Sequence, residues 1–314
     1  MSIKEAQTIW MDGKLVPWHE AQVHVLSHAL HYGTSVFEGI RLYETPQGPL
    51  FFRLDAHIKR LFQSARMYRI EIPYDVDQVM DACHELVKAN DLSNAYLRPI
   101  IFGGYGSMGL LPKKETPWHL AIAAFEWPSL LGADGIQGGV SVGISSWRRP
   151  APDTHPTLAK AGGNYLSSIL ICEEAHRNGY DEGLALDING MVSEGPGENL
   201  FVVRNGKVMT PGTCHSILEG ITRDSVMQLL AERGIQVEET SIPREYLYVA
   251  DELFFTGTAA EVVPIRSLDG IQVGGGEPGP ITRQVQTDFF GLFNGSTPDR
   301  WGWLQPLLYA HAWF

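Results

Sequence analysis

The stretch Pro156-Thr157-Leu158-Ala159-Lys160-Ala161-Gly162-Gly163-Asn164-Tyr165 decides how this chain is read. Its lysine is the only one between positions 115 and 206, and its small neighbours leave room for a bulky group beside the amine. A long flexible amine is what a Schiff base with an aldehyde cofactor requires. The plain alternative is a surface lysine in a glycine-rich turn, which the segment alone does not exclude. The case rests on what accompanies Lys160.

The chain has 314 residues, enough for one large domain or two medium ones. With 44% hydrophobic and 19% charged residues it has the composition of a folded soluble protein. The formal charge is -12 and unevenly spread. Residues 1–132 hold 14 acids and 12 bases, whereas residues 133–314 hold 22 and 12. Such a surface disfavours nucleic acid or an anionic membrane as partner, although a few arginines and a helix N-terminus can hold a small anion locally. No apolar span reaches 18 residues, and Met1-Ser2-Ile3-Lys4-Glu5-Ala6-Gln7 has no basic region leading into an apolar one, so a cytoplasmic location is expected. Cys83, Cys172 and Cys214 are widely spaced and read as reduced thiols in packed or semi-buried places.

Patterning predicts a first half of hairpins and helices. Strands are expected at Thr8-Ile9-Trp10-Met11, at Lys14-Leu15-Val16, continuously over 35–43, and at Leu50-Phe51-Phe52. Helical spacing marks 54–68 and 76–90. Two apolar strands follow, at 96–102 and 119–125. Glycine and proline then gather at Pro128, Gly132, Gly135, Gly138 and Gly139, which places an interdomain linker at 131–137 between a domain over 1–130 and another over 138–314. The second half is expected to carry helices at 164–178, 221–233 and 282–293, with strands at 140–144, 182–187, 199–203 and 252–256. The tail 301–314 is aromatic and apolar and is expected to dock on the body or to stay partly mobile.

Three groups qualify the lysine. In Ser193-Glu194-Gly195-Pro196-Gly197-Glu198-Asn199-Leu200-Phe201 a glycine-rich loop carries two carboxylates, and a carboxylate beside a pyridine nitrogen keeps that nitrogen protonated. Glu194 is preferred to Glu198, though either is ordinarily a solvated loop acid. In Leu218-Glu219-Gly220-Ile221-Thr222-Arg223-Asp224 glycine precedes a helix start, where open N–H groups and the Thr222 hydroxyl suit a phosphate; a plain helix cap explains the same residues. Gly257-Thr258-Ala259-Ala260 is a further strand end with a hydroxyl and small neighbours. His24, His28 and His31 have helical spacing, but no acidic or cysteine partner completes a metal site, and none is expected.

Taken in order, Lys160, Glu194, Asn199-Leu200-Phe201, Val208-Met209-Thr210 and Leu218-Glu219-Gly220-Ile221-Thr222-Arg223, together with the segment from His28 to Arg41, resemble the signature of the class IV pyridoxal-phosphate aminotransferases. The resemblance runs from Trp10 to about Trp303 and is greatest to the bacterial branched-chain group. It implies an α+β, two-domain fold-type IV enzyme, with a smaller N-terminal domain and a larger C-terminal one built on a β-barrel-like core. The implied cofactor is pyridoxal 5'-phosphate. Lys160 would carry its aldehyde and move the proton, Tyr165 would face its phenolic oxygen and Glu194 its ring nitrogen. Arg60, Ile221, Thr222 and Thr258 would hold its phosphate, and Leu218 is counted with the cofactor contacts. Tyr32, Phe37 and Trp127 would wall an apolar substrate pocket with Tyr165. Tyr96, Thr258 and Ala259 would address the α-carboxylate, and Arg98 the side-chain carboxylate of glutamate, which an apolar pocket does not otherwise accept.

The implied reaction is reversible transfer of the amino group of L-leucine, L-isoleucine or L-valine to 2-oxoglutarate, with ping-pong kinetics. Other enzymes of the same scaffold, acting on D-amino acids, (R)-amines or aminodeoxychorismate, stay open as alternatives. At least a homodimer is implied, and the bacterial members often assemble further, as trimers of dimers, so a homohexamer stays open. Two features depart from the usual pattern: Pro196 stands where a small residue is general, and the flanks of the 103–112 loop vary.

Overall fold

A computed structural model describes residues 3–112, 116–127 and 131–307. It divides into two compact units, one of Met1–Trp127 with Ala159–Gly163 and Phe293–Phe314, the other of Pro128–Leu158 with Asn164–Leu292. The stretch expected as a linker, 131–137, carries a short helix in the second unit. Lys160, by contrast, clusters with the first unit despite its place in the second half of the chain. The end of the apolar tail, 308–314, lies outside the described residues.

In the first unit the strands are β1 (Thr8–Met11), β2 (Lys14–Pro17), β3 (Ser35–Phe37), β4 (Ile40–Thr45), β5 (Gly48–Phe52), β6 (Ala95–Gly103) and β7 (Trp118–Phe125). They form an antiparallel sheet in the order β5-β4-β6-β7-β1-β2, with the C-terminal strand Leu304–Pro306 added beside β5 and β3 paired to β6. Its helices are α1 (His28–Tyr32), α2 (Leu54–Met67) and α3 (Val76–Ala89). The apolar stripes of α2 and α3, including Ile58, Leu61, Val79 and Leu86, share one fully buried core with Val36, Ile40, Leu97, Ile101 and Ile122 of the sheet. Each such side chain is worth roughly 1.5–3 kcal/mol of transfer free energy.

The strand expected over 35–43 is broken into β3 and β4. Both pair with β6, Phe37 opposite Ile100 and Ile40 opposite Leu97. The break falls opposite Pro99, which accepts a hydrogen bond from the Glu38 N–H at 2.9 Å but has no N–H to return. Gly39 follows, and a Cβ there would collide with the Tyr96 ring. The turn therefore aims Phe37 and Glu38 in different directions from one short segment.

In the second unit α4 (Gly132–Gly138) leads into β8 (Val140–Arg148), and α5 (Tyr165–Arg177) into β9 (Glu182–Leu186). Next come β10 (Asn199–Arg204), β11 (Lys207–Pro211), α6 (Ile221–Glu232), β12 (Val237–Thr240), β13 (Glu252–Gly257), β14 (Glu261–Leu268), β15 (Ile271–Gln272) and α7 (Pro280–Asn294). The sheet order is β12-β11-β10-β13-β14-β8-β9, with β15 beside β14. Pairing is parallel at β11–β12, β14–β8 and β8–β9 and antiparallel in the middle. Phe201 and Phe254 stack across β10 and β13 with ring centroids 4.9 Å apart. Each of the five longer helices expected from spacing is present, with ends shifted by one or two residues. Cys83 is buried and Cys172 half-buried as expected, but Cys214 is exposed.

Candidate active site

In the first unit the lysine segment lies along β3. The Phe37 N–H donates to the Lys160 carbonyl at 3.0 Å, Val36 and Ala161 form a bridge, and the Lys160 N–H donates to Ser64 Oγ of α2 at 2.9 Å. The backbone of Lys160 is thus held on two sides while its Nζ sits 5.1 Å from the centroid of the Phe37 ring. Gly162 is needed here, because a Cβ would strike Ser35 Oγ. The Arg98 guanidinium lies over the same Phe37 ring at 4.8 Å and over the Tyr96 ring at 5.2 Å. Its Nε is buried without a hydrogen-bond partner, and among the described residues no carboxylate pairs with it. Arg98 borders a cavity of about 360 Å³ whose other walls include Ile100, Phe102, Ala121 and Ala123. A buried donor without a partner carries an unmet desolvation cost, which an acceptor brought to it would relieve.

Tyr96 continues this cluster, with Trp127 4.8 Å away centroid to centroid and the Arg41 guanidinium 5.9 Å from its ring. Arg41 also donates to the Trp127 carbonyl at 2.7 Å, which holds the backbone there. Tyr32, 38% exposed at the end of α1, stacks at 4.5 Å on His28 and is not seen against Phe37 or Tyr96. The three histidines do not gather for a metal: α1 begins only at His28, whose ring nitrogens go to Thr34 Oγ1 and the Gly109 carbonyl, and His31 bonds the Val25 carbonyl.

Arg60, on α2, is buried against a partner that sequence reasoning did not assign. Its Nε and Nη2 donate to Glu38 Oε1 and Oε2 at 2.7 and 2.9 Å, and His57 Nδ1 adds a bond to Oε2 at 2.7 Å. Burial alone would raise the Glu38 pKa; the Arg60 charge, followed by the His57 hydrogen bond, outweighs it and holds the carboxyl far below its ordinary range. His57 is pushed the other way by burial, against the pull of Glu38, so the imidazole stays neutral. An ionised carboxylate only accepts, which places the imidazole proton on Nδ1 and leaves Nε2 bare; Nε2 is buried and has no partner.

In the second unit Glu194 is the most heavily bonded carboxylate of its loop. Arg149 Nη2 meets its Oε1 at 2.7 Å, and its Oε2 accepts from Asn199 Nδ2 and from the Leu218 N–H, each at 2.9 Å. Asn199 also donates to the Leu218 carbonyl, so Leu218 is tied to Glu194 by its backbone. The buried Arg149 escaped the sequence reading because Trp147-Arg148-Arg149-Pro150 looks like an ordinary basic turn. Glu198 folds back onto the Gly197 N–H at 3.1 Å. Gly195 N–H bonds the Glu198 carbonyl at 2.8 Å, so the loop's donors flank Pro196, and its missing N–H removes no bond of the loop.

Helix α6 begins at Gly220 with no capping side chain, Ile221 and Thr222 standing buried in its first turn. A Cβ at Gly220 would collide with Asn199, the residue that holds Glu194. Arg223, in the same motif, turns away to Glu239 at 2.6 Å and to the Pro211 carbonyl at 3.1 Å. Thr258 and Ala259 form the turn from β13 to β14, and the adjacent Thr256 Oγ1 is buried without a partner. Tyr165 opens α5 and is half-buried.

Residues 35–268 match the family profile described as amino-transferase class IV. The chain belongs to the class IV aminotransferases. Among its relatives in this family, the branched-chain-amino-acid aminotransferase of Salmonella typhimurium is 52% identical over 307 residues, covering 98% of this chain and 99% of the relative. The crystal structure of the Escherichia coli branched-chain amino acid aminotransferase superposes with a TM-score of 0.96 at 52% identity, covering 97% of this chain and all of that one. The branched-chain amino acid aminotransferase of Thermobaculum terrenum, solved in its PLP-bound holo-form, superposes with a TM-score of 0.90 at 36% identity, covering 97% and 99%. Class IV membership and this near-complete correspondence bear out the fold-type IV reading, the pyridoxal-phosphate cofactor and the branched-chain activity expected from the sequence.

Proposed function

We propose that this branched-chain-amino-acid aminotransferase works through Lys160, with Arg98 admitting the acidic substrate. The reaction moves the amino group of L-leucine, L-isoleucine or L-valine to 2-oxoglutarate in two half-reactions. Pyridoxal 5'-phosphate supplies the aldehyde that takes up the amine and the conjugated ring that accommodates the electrons of the broken Cα–H bond. The residues present fit that cofactor: an amine on Lys160, a carboxylate on Glu194 already fixed by Arg149 and Asn199, an uncapped helix start at Ile221 and Thr222, a hydroxyl turn at Thr258, and Arg60.

Lys160 Nζ would take the α-proton from the substrate and hand it to the cofactor's aldehyde-derived carbon, on the far side of the amino nitrogen. Glu194, which accepts from Arg149, Asn199 and the Leu218 N–H, would keep a proton on the cofactor's ring nitrogen. Tyr165 addresses the phenolic oxygen. Arg60, the Ile221 and Thr222 N–H groups and Thr258 hold the phosphate. Phe37, Tyr32 and Trp127 take the branched side chain, while Tyr96, Thr258 and Ala259 orient the α-carboxylate.

The observation that carries this reading is the pairing of Lys160 and Arg98 over one Phe37 ring. It puts the reacting amine beside an apolar surface that also holds a carboxylate-seeking cation, which is what an enzyme alternating between leucine and glutamate needs. Rates over a panel of L- and D-amino acids and simple amines, with 2-oxoglutarate as acceptor, test it. Preference for branched L-substrates supports the reading; preference for D-amino acids or amines overturns it. Lys160→Ala should lose the visible absorption band of the bound cofactor and all turnover.

At least a homodimer, extending to a hexamer, is proposed for the cytoplasmic enzyme. In the first unit Val25, Leu30, Leu110 and Leu111 are 69%, 61%, 84% and 85% exposed, an apolar surface that a second copy would cover. Light scattering coupled to size exclusion reads the assembly directly. Among the described residues no helix is long and apolar enough to cross a membrane.

A further inference from the structure

We infer that Glu38, itself fixed by His57, is the positioning residue that aims Arg60 at the cofactor phosphate. The inference rests on the proposed role of Arg60 and deepens it. Glu38 has a fully buried side chain, and it spends both oxygens on Arg60. A buried carboxylate forfeits its hydration, a penalty that any apolar residue at the same position would avoid. Its placement has a geometric origin. Pro99 breaks the β3–β4 strand at Glu38, and Glu38 turns onto Arg60 and His57 of α2 while the preceding residue, Phe37, lies under Lys160 and Arg98.

Two parallel bonds to Arg60 Nε and Nη2 fix the guanidinium plane, which a single contact would leave free to rotate. His57 does the same for Glu38. Its bare, buried Nε2 has no bond to make in the protein, so the imidazole is kept for its one donor, the Nδ1–H on Glu38 Oε2. Charge and position oppose each other in this arrangement. As a negative charge beside a phosphate, Glu38 would weaken binding; as the holder of Arg60 it strengthens it.

That opposition makes the test decisive. Apoenzyme of the full chain is titrated with pyridoxal 5'-phosphate and with pyridoxal, which lacks only the phosphate, following the visible band and the thermal midpoint. The dissociation constant for pyridoxal divided by that for pyridoxal 5'-phosphate measures phosphate recognition alone. Glu38→Gln removes the charge and one strong acceptor at nearly constant shape, and should lower the ratio about tenfold or more, the scale of a charged hydrogen bond. Pyridoxal affinity should hardly change, whereas a merely structural role would weaken both ligands alike. Arg60→Gln should lower the ratio at least as far, and the double variant no further, since the two residues act as one unit.

His57→Asn, which keeps a donor near the Nδ1 position, should stay within about threefold of wild type, and His57→Leu should not. This pair decides the matter if Glu38→Gln fails to fold. A ratio unchanged or raised by Glu38→Gln, with Arg60→Gln lowering it, overturns the inference. A ratio unchanged by Arg60→Gln overturns the phosphate role of Arg60 itself.

Discussion

Arg60, buried, and Arg98, half-buried, meet the problem of a cation inside a protein in opposite ways. Arg60 is paired with a carboxylate of its own unit; Arg98 has two aromatic faces, a long bond from its Nη2 to the Tyr96 hydroxyl at 3.4 Å, and an orphaned Nε. The role proposed for Arg98, pairing with an external carboxylate, follows from that contrast. Arg98→Gln is expected to lower the second-order rate of the half-reaction with glutamate or 2-oxoglutarate by about 10- to 100-fold, as loss of a charged hydrogen bond would. The half-reaction with L-leucine should change by less than about threefold, because the branched side chain carries no charge for Arg98 to pair. Single-turnover absorbance changes measure both, and equal damage to the two removes the assignment.

Glu38 also links stability to acidity. Its pKa is depressed below the ordinary 4.5 in the folded chain, so its contribution is complete above that value and is lost as pH falls through the folded pKa. The stability difference between wild type and Glu38→Gln, from urea unfolding, should be constant above about pH 5.5 and shrink progressively below about 4.5.

At the scale of elements, one of the longer helices starts on a polar signal that the apolar spacing did not use. Helix α3 opens with a capping box, the Asp75 carboxylate accepting from the Gln78 N–H at 2.8 Å and the Gln78 side chain accepting from the Asp75 N–H at 2.9 Å. Asp75→Ala should cost about 1 kcal/mol of unfolding free energy and leave turnover unchanged, since α3 takes no part in the site. Denaturant midpoints and initial rates check the two halves of that statement. Helices α2, α5 and α6 have no such side-chain cap. The break between β3 and β4 belongs to this scale too. Nothing in residues 35–43 announces it, because the missing donor sits on the neighbouring strand at Pro99.

Over the whole molecule, the groups assigned to the cofactor are drawn from residues 60 to 258, so cofactor binding should stabilise far more than one loop. Adding pyridoxal 5'-phosphate to apoenzyme at one hundred times its dissociation constant should add about 2.7 kcal/mol, seen as a raised thermal midpoint. No shift would show that the cofactor binds folded and unfolded chains alike.

The family is written along the chain. Lys160, Glu194, the Gly220-Ile221-Thr222 turn and Thr258 each have a plain alternative alone and point to the family only by their order, and the helices are legible because apolar spacing along one segment reports the face it buries. Other features arise only on folding. Arg149 beneath Glu194, Glu38 between Arg60 and His57, and the shared Phe37 ring beneath Lys160 and Arg98 each join residues distant in sequence, from Glu38 and His57, 19 positions apart, upward. A buried charge is tolerated only where its partner arrives through the fold, so which arginine meets a carboxylate of its own chain is a property of packing, and no single segment of sequence records it.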